Sequence, residues 1–205
     1  MKFYTPPAGT GPSWLSFLGA QADSLWSCDL FRVESILLQS YWVLLVMDQY
    51  SRKIIGFGVT QGPVDGASLC RMFNEIASGR STPERLSHDN DPLFRYHLWT
   101  CNMSIYGLDE VRSVPFTPTS HPFCERAIGT VRREFTDKIL FWNHTDLGRK
   151  LNSYRVYFNN ARVHSGISGS RPQSKYGDIP AKNSSPSDLK WKKYCRGLFN
   201  VPEAA

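Results

Sequence analysis

Apolar and polar positions alternate in some stretches of this chain and recur at helical spacing in others. From Trp26 to Ser35 the period is two. Ser27, Asp29 and Phe31 share one face, and Cys28, Leu30 and Arg32 the other. Tyr41 to Asp48 is almost wholly apolar, which predicts a central strand covered on both faces. Lys53 to Thr60 predicts a third strand, in which Gly56 and Gly58 let another part of the molecule approach closely. The short connections between these runs predict an antiparallel meander.

Helical spacing follows. Leu69, Met72, Phe73 and Ile76 line one side of a helix over Asp65 to Ser78, which Gly79 ends. Glu84 to His88 predicts a short strand, Pro92 to Met103 a helix, and Asp109 to Pro115 a fifth strand. Phe116 to Phe123 reads as a loop. A long helix opens at Glu125 and runs to about Phe141. Its core stripe is Ile128, Val131, Phe135, Ile139 and Trp142. A second long helix covers about Asp146 to Asn160, and the chain from Arg162 reads as a loosely packed tail. At the other end, residues 1–12 read as an extended arm, and Ser13 caps a short helix bearing Trp14, Leu15, Phe17 and Leu18. The expected organisation is an arm (1–12), a core (13–177) and a basic C-terminal tail (178–205). The element order predicts an α/β fold with a mixed five-stranded sheet and helices on both faces.

Charge sharpens this picture. The chain's net charge is +6, yet residues 1–125 hold 9 Lys and Arg against 12 Asp and Glu, while residues 126–205 hold 15 against 6. Acids gather early and bases late, as in a protein that holds metal with one part and a polyanion with the other. Five widely spaced cysteines (Cys28, Cys70, Cys101, Cys124 and Cys195) contain no Cys-x-x-Cys and read as small buried thiols, not a disulfide framework or a zinc knuckle. The longest apolar run, Tyr41 to Met47, is far too short to cross a bilayer, so a cytoplasmic, nucleoid-associated protein is expected.

Three acids stand out. Asp29 lies in the first strand and Asp89 at the end of the fourth. If these strands are neighbours, both acids meet at one sheet edge, and the helix that opens at Glu125 can deliver the third. Such a carboxylate cluster suits hard divalent cations. Asp48 and Asp91 read as turn residues. His88, His121 and His164 read as loop or core hydrogen-bonding groups. Trp142, Tyr154, Tyr157 and Phe158 suit core packing better than stacking on bases.

The motifs together resemble a known family. Trp26-x-x-Asp29, the run Met47-Asp48-Gln49-Tyr50-Ser51-Arg52, Asp89-Asn90 and Glu125-Arg126 are similar to the catalytic core of the retroviral-integrase superfamily. The likeness is to insertion-sequence transposases of the D,D-35-E type, since 35 residues separate Asp89 from Glu125. Tyr157-Phe158-Asn159-Asn160-x-Arg162-x-His164-x-Gly166 and Arg171-Pro172 resemble the segment that closes those cores. The resemblance implies a ribonuclease-H-like fold, DNA cleavage and 3′-OH strand transfer. It also implies two Mg²⁺ (or Mn²⁺) ions held by Asp29, Asp89 and Glu125. From their own chemistry, Asn90, Arg126, Arg132, Arg133, Lys138 and Arg162 are expected DNA contacts: the Asn90 amide can hold a carboxylate or phosphate oxygen, and Arg126, Arg132, Arg133 and Lys138 can track phosphates along the helix. Expected partners are transposon ends and target DNA, further copies of the chain, and a separate helix-turn-helix protein. A non-catalytic DNA-binding remnant and a simple nuclease are the alternatives. The chain departs from the family pattern at His88, Asp91, His121-Pro122-Phe123 and Gly129.

Overall fold

A computed structural model describes residues 25–112, 122–164, 169, 171–172 and 189–204. The arm, the Ser13 helix, the loop over residues 116–121 and His121 lie outside the described residues. Five strands form one sheet: β1 (Leu25–Glu34), β2 (Ser40–Asp48), β3 (Ile54–Gln61), β4 (Arg85–His88) and β5 (Asp109–Arg112). Their spatial order is β3-β2-β1-β4-β5. The first three strands are the antiparallel meander the pattern predicts, while β4 runs parallel to β1 and β5 parallel to β4. The sheet is therefore mixed, with β1 between an antiparallel and a parallel neighbour.

Period-two alternation divides the core in two. Phe31, Val33, Tyr41, Val43, Leu45 and Met47 face helices α3 (Pro122–Glu134) and α4 (His144–Asn160). Cys28, Leu44 and Val46 face α1 (Gly66–Ala77) and α2 (His97–Ile105) on the other side. Asp65 caps α1, accepting from the Ser68 amide at 2.7 Å while the Ser68 hydroxyl accepts from the Asp65 amide. Gly58 has a plain role: a Cβ there would stand 2.8 Å from the Met72 carbonyl oxygen, so α1 rests directly on β3.

Three expectations are corrected. The long helix begins at Pro122, which suits a first helical position because it has no amide hydrogen to leave unpaired. It ends at Glu134, where Phe135 (φ −130, ψ −66) leaves helical geometry and a 3₁₀ turn follows over Thr136–Lys138. Phe135 stays buried, but Trp142 is 58% exposed. Phe141 takes the core position instead, edge-on to Tyr41 at 5.4 Å. The stretch from Pro92 divides into a 3₁₀ turn (Pro92–Arg95) and α2. Residues 189–204 are not loosely packed: β6 (Leu189–Tyr194) and β7 (Phe199–Ala204) form a hairpin against α4. Phe199 stacks on Tyr157 with ring centroids 3.9 Å apart, and Tyr194 closes the other side.

Candidate active site

The parallel pairing of β1 with β4 brings the two aspartates together. Trp26 pairs with Leu86 and Ser27 with Ser87. Two further steps along each chain set Asp29 level with Asp89. Asp29 shares its strand face with Phe31, so it lies on the side of the sheet that α3 covers. Glu125 sits in the first turn of that helix. All three acids keep contact with solvent: Asp29 and Asp89 are half-buried and Glu125 is exposed.

Their electrostatics report the proximity. Burial pushes the Asp29 carboxyl up to about 7; the charge of Asp89 adds to the rise, the Leu30 amide opposes it, and Glu125 and Asp91 add further. The Leu30 N–H donates to Asp29 Oδ1 at 2.7 Å, and the Asp91 N–H donates to Asp89 Oδ1 at 3.1 Å. Among the described residues, no three His, Cys, Asp or Glu side chains already enclose a space that could hold a metal ion. In chemistry the donors nevertheless suit one. They are three hard oxygen ligands whose mutual repulsion a divalent cation would relieve.

His88 supports this site from beneath. It is 1% exposed and stacks on Phe94 with centroids 4.7 Å apart. Its Nδ1 lies 2.7 Å from the Asp89 carbonyl oxygen, and its Nε2 lies 3.0 Å from Glu110 Oε2. The ring thus ties the backbone of Asp89 to β5, a structural role. Asp91 is a turn residue as expected, accepting from the Leu93 amide at 2.8 Å. Asp48 accepts from the Ser51 amide at 2.6 Å and the Ser51 hydroxyl at 2.7 Å.

The basic residues separate into distinct places. At about 100° per residue, Glu125, Gly129 and Arg132 run along one flank of α3, and Arg126, Thr130 and Arg133 along the other. Arg132 lies on the β1 side, donating to the Arg32 carbonyl at 3.4 Å and standing 5.7 Å from the Phe31 ring. Arg126 and Arg133 line a cavity of about 600 Å³ toward the β2–β3 turn. Lys138 belongs to the 3₁₀ turn and lines a different cavity with Lys150 and Arg196, so it does not extend the α3 row. Arg162 has its guanidinium on Glu134, and Asn90 is half-buried between Asp89 and Asp91. Of the aromatics, Tyr154 and Phe158 are buried in the core and out of reach of bases. Sequence reasoning missed Arg52, which stacks on Phe123 with its guanidinium 3.2 Å from the ring centroid. Its signal was its place in the tight Asp48–Arg52 turn.

The mixed sheet sets Asp29 and Asp89 on neighbouring parallel strands, and α3, on the same face, carries Glu125 in its first turn. Residues 106–172 match the family model for the integrase core domain. Over 146 residues the chain is 24% identical to the Insertion element IS476 uncharacterized 39.2 kDa protein of Xanthomonas euvesicatoria. That match covers 70% of this chain and 42% of the relative, so the chain spans less than half of the relative's length. Solved structures with the same fold include the simian T-cell lymphotropic virus intasome in complex with PP2A regulatory subunit B56 gamma. There the TM-score is 0.62 at 16% identity, covering 88% of this chain and 66% of that one. They also include the HTLV-2 integrase catalytic core domain in complex with magnesium, with a TM-score of 0.56 at 16% identity over 74% of this chain and 94% of that one. The chain thus shares the fold of retroviral integrase catalytic cores and is similar to the integrase core domain over residues 106–172.

Proposed function

We propose that this chain is the metal-dependent core of a DNA transposase or integrase. It cuts phosphodiester bonds at element ends and joins the resulting 3′-OH to target DNA. The carrying observation is that the parallel β1–β4 pairing sets Asp29 level with Asp89, while α3, packed on the same sheet face, carries Glu125 in its first turn. The three acids would hold two Mg²⁺ or Mn²⁺ ions, which when bound activate the attacking oxygen and stabilise the leaving one. The HTLV-2 integrase catalytic core domain, of the same fold, is in complex with magnesium, which supports a divalent-ion reading.

Each residue has a part. Asp29, the more enclosed acid, is fixed in β1 between two strands. Asp89 is oriented by the Asp91 amide and by the grip of His88 on its carbonyl. Glu125 is exposed on α3 and free to turn toward an arriving phosphate. Arg132, two turns along the same flank, is placed to meet the strand beyond the reacting bond. The partners on this reading are element ends, target DNA, a helix-turn-helix protein for end recognition and a second copy of the chain. The setting is the nucleoid of the cytoplasm.

A second reading, a DNA-binding core without catalysis, draws on the lack of a ready-made metal enclosure among the described residues. A labelled oligonucleotide assay separates the two. With Mg²⁺ and DNA carrying candidate ends, the catalytic reading requires joined products. These must vanish in Asp89→Asn while DNA binding persists. Binding without any metal-dependent product favours the second reading, and nicking without joining reduces the protein to a nuclease.

A further inference from the structure

The cavity on the far flank of α3 does not belong to the acid cluster. Among the described residues, four arginines line it, Arg52, Arg126, Arg133 and Arg162, and no Asp or Glu does. Glu134 offsets Arg162 from behind through two hydrogen bonds, so the cavity keeps a positive excess. Like charges so concentrated repel one another unless an anion joins them. The walls between them are apolar, with Met47, Phe123 and Phe158 at the base, which lowers the local dielectric and strengthens any charge pairing.

Arg52 is held in place before any ligand arrives. It adopts a left-handed backbone (φ 63), uncommon for a residue with a side chain. Asp48 fixes the turn by accepting from Ser51, and the Arg52 amide donates to the Asp48 carbonyl at 3.0 Å. Such a backbone is strained and must be held by the surrounding turn, and strain of this kind gathers at ligand-binding positions. The guanidinium then lies flat on Phe123. A guanidinium stacked on an aromatic ring is held in one orientation, and its planar fork matches phosphate geometry.

The spacing along α3 selects the kind of ligand. Arg126 and Arg133 are seven residues apart, about 10 Å along the helix axis. A single small anion meets one of them easily and both only with difficulty. A nucleic-acid strand, with a phosphate every ~3.4 Å of its rise, offers one to each. Glu125 and Arg126 are consecutive, so the cavity opens about 100° around α3 from the acid cluster.

We infer that the cavity bounded by Arg52, Phe123, Arg126, Thr130 and Arg133 is a second backbone-binding site, which grips phosphates of a DNA strand after it has crossed α3. The inference rests on the proposed function and adds the track that strand follows.

The test uses the full chain without divalent cation. Phenylglyoxal modification of Arg126 and Arg133, read by peptide mass spectrometry, should be suppressed several-fold by a duplex oligonucleotide. Inorganic phosphate at the same total phosphate concentration should suppress it little. The Arg126→Gln/Arg133→Gln variant should lose about tenfold or more in DNA affinity, and its log K against log salt slope should shrink by about two. Its thermal midpoint should hold. Unchanged modification in protein that binds DNA overturns the inference, as does equal protection by free phosphate, which would assign the cavity to a small phosphate ligand. If wild-type protein binds no DNA, the proposed function falls together with the cavity. If Asp89→Asn abolishes joining while the double variant keeps wild-type affinity and slope, only the cavity falls.

Discussion

Arg162 holds Glu134 by two hydrogen bonds, Nε to Oε2 at 2.9 Å and Nη2 to Oε1 at 2.7 Å, so the segment after α4 is clasped to the last turn of α3. The Tyr154 hydroxyl donates to the same carboxylate at 3.2 Å. Burial alone would raise the Glu134 carboxyl, yet Arg162 and Tyr154 together hold it below the usual carboxylate range. The clasp fixes the end of the helix that carries Glu125. Glu134→Gln keeps the shape and removes the charge. It should cost about 1–2 kcal/mol in a urea unfolding experiment, because charge-assisted hydrogen bonds become neutral ones and the site is only partly shielded from water.

The same corner predicts acid sensitivity. Burial pushes the His164 imidazole down to about 4, and the neighbouring Arg162 adds to the fall. Its folded value is depressed, so the unfolded chain takes up its proton first, near the ordinary value of about 6.5. Stability from neutral His164 is therefore complete above that value and is lost as pH falls toward about 4. Thermal midpoints measured across this window should drop for the wild type. His164→Gln should flatten the part of the slope between these two values. The loss from Glu134, which follows at lower pH, should remain.

Gly58 gives a prediction about the scaffold. Gly58→Ala sets a methyl group against the backbone of Met72, which cannot move aside as a flexible side-chain tip could. Chemical denaturation should show a loss of about 1–3 kcal/mol. An unchanged midpoint would mean that α1 is not seated on β3 as described.

The acid cluster predicts opposite effects of one substitution with and without metal. Asp29 is half-buried beside Asp89, so Asp29→Asn removes a repelled charge and should raise the thermal midpoint in EDTA. Added Mg²⁺ should raise the midpoint of the wild type and have little effect on the variant if, as proposed, Asp29 helps to hold the ion in the folded state.

Much of this was readable from residue order because the signals were local. The meander followed from the short connections between three strand-like runs, the central place of β2 from Tyr41 to Asp48 being almost wholly apolar, and α1 from the spacing of Leu69, Met72, Phe73 and Ile76. Asp89 at a strand end and Glu125 early in a helix were also local readings. What had to be seen in space was which strands neighbour β1: the parallel β1–β4 pairing joins residues about sixty positions apart, and only that pairing makes Asp29 and Asp89 partners. The end of α3 was misread because Phe135 and Ile139 continue the helical period after the helix stops. The chain turns at Phe135 and still covers the same core. The β6–β7 hairpin was hidden by its lysines. Lys190, Lys192 and Lys193 are exposed, and Tyr194 is buried on Tyr157. Its alternation and Gly197 at the turn were the available signals. Arg52 was missed because its importance comes from Phe123, seventy-one residues later.

The most direct measurement is anomalous scattering from Mn²⁺ in crystals of the protein with a DNA end. The account predicts metal density bonded to carboxylate oxygens of Asp29, Asp89 and Glu125, with phosphate oxygens completing the shell. Manganese bound elsewhere, or density that reaches only one of the three acids with DNA in place, would contradict it.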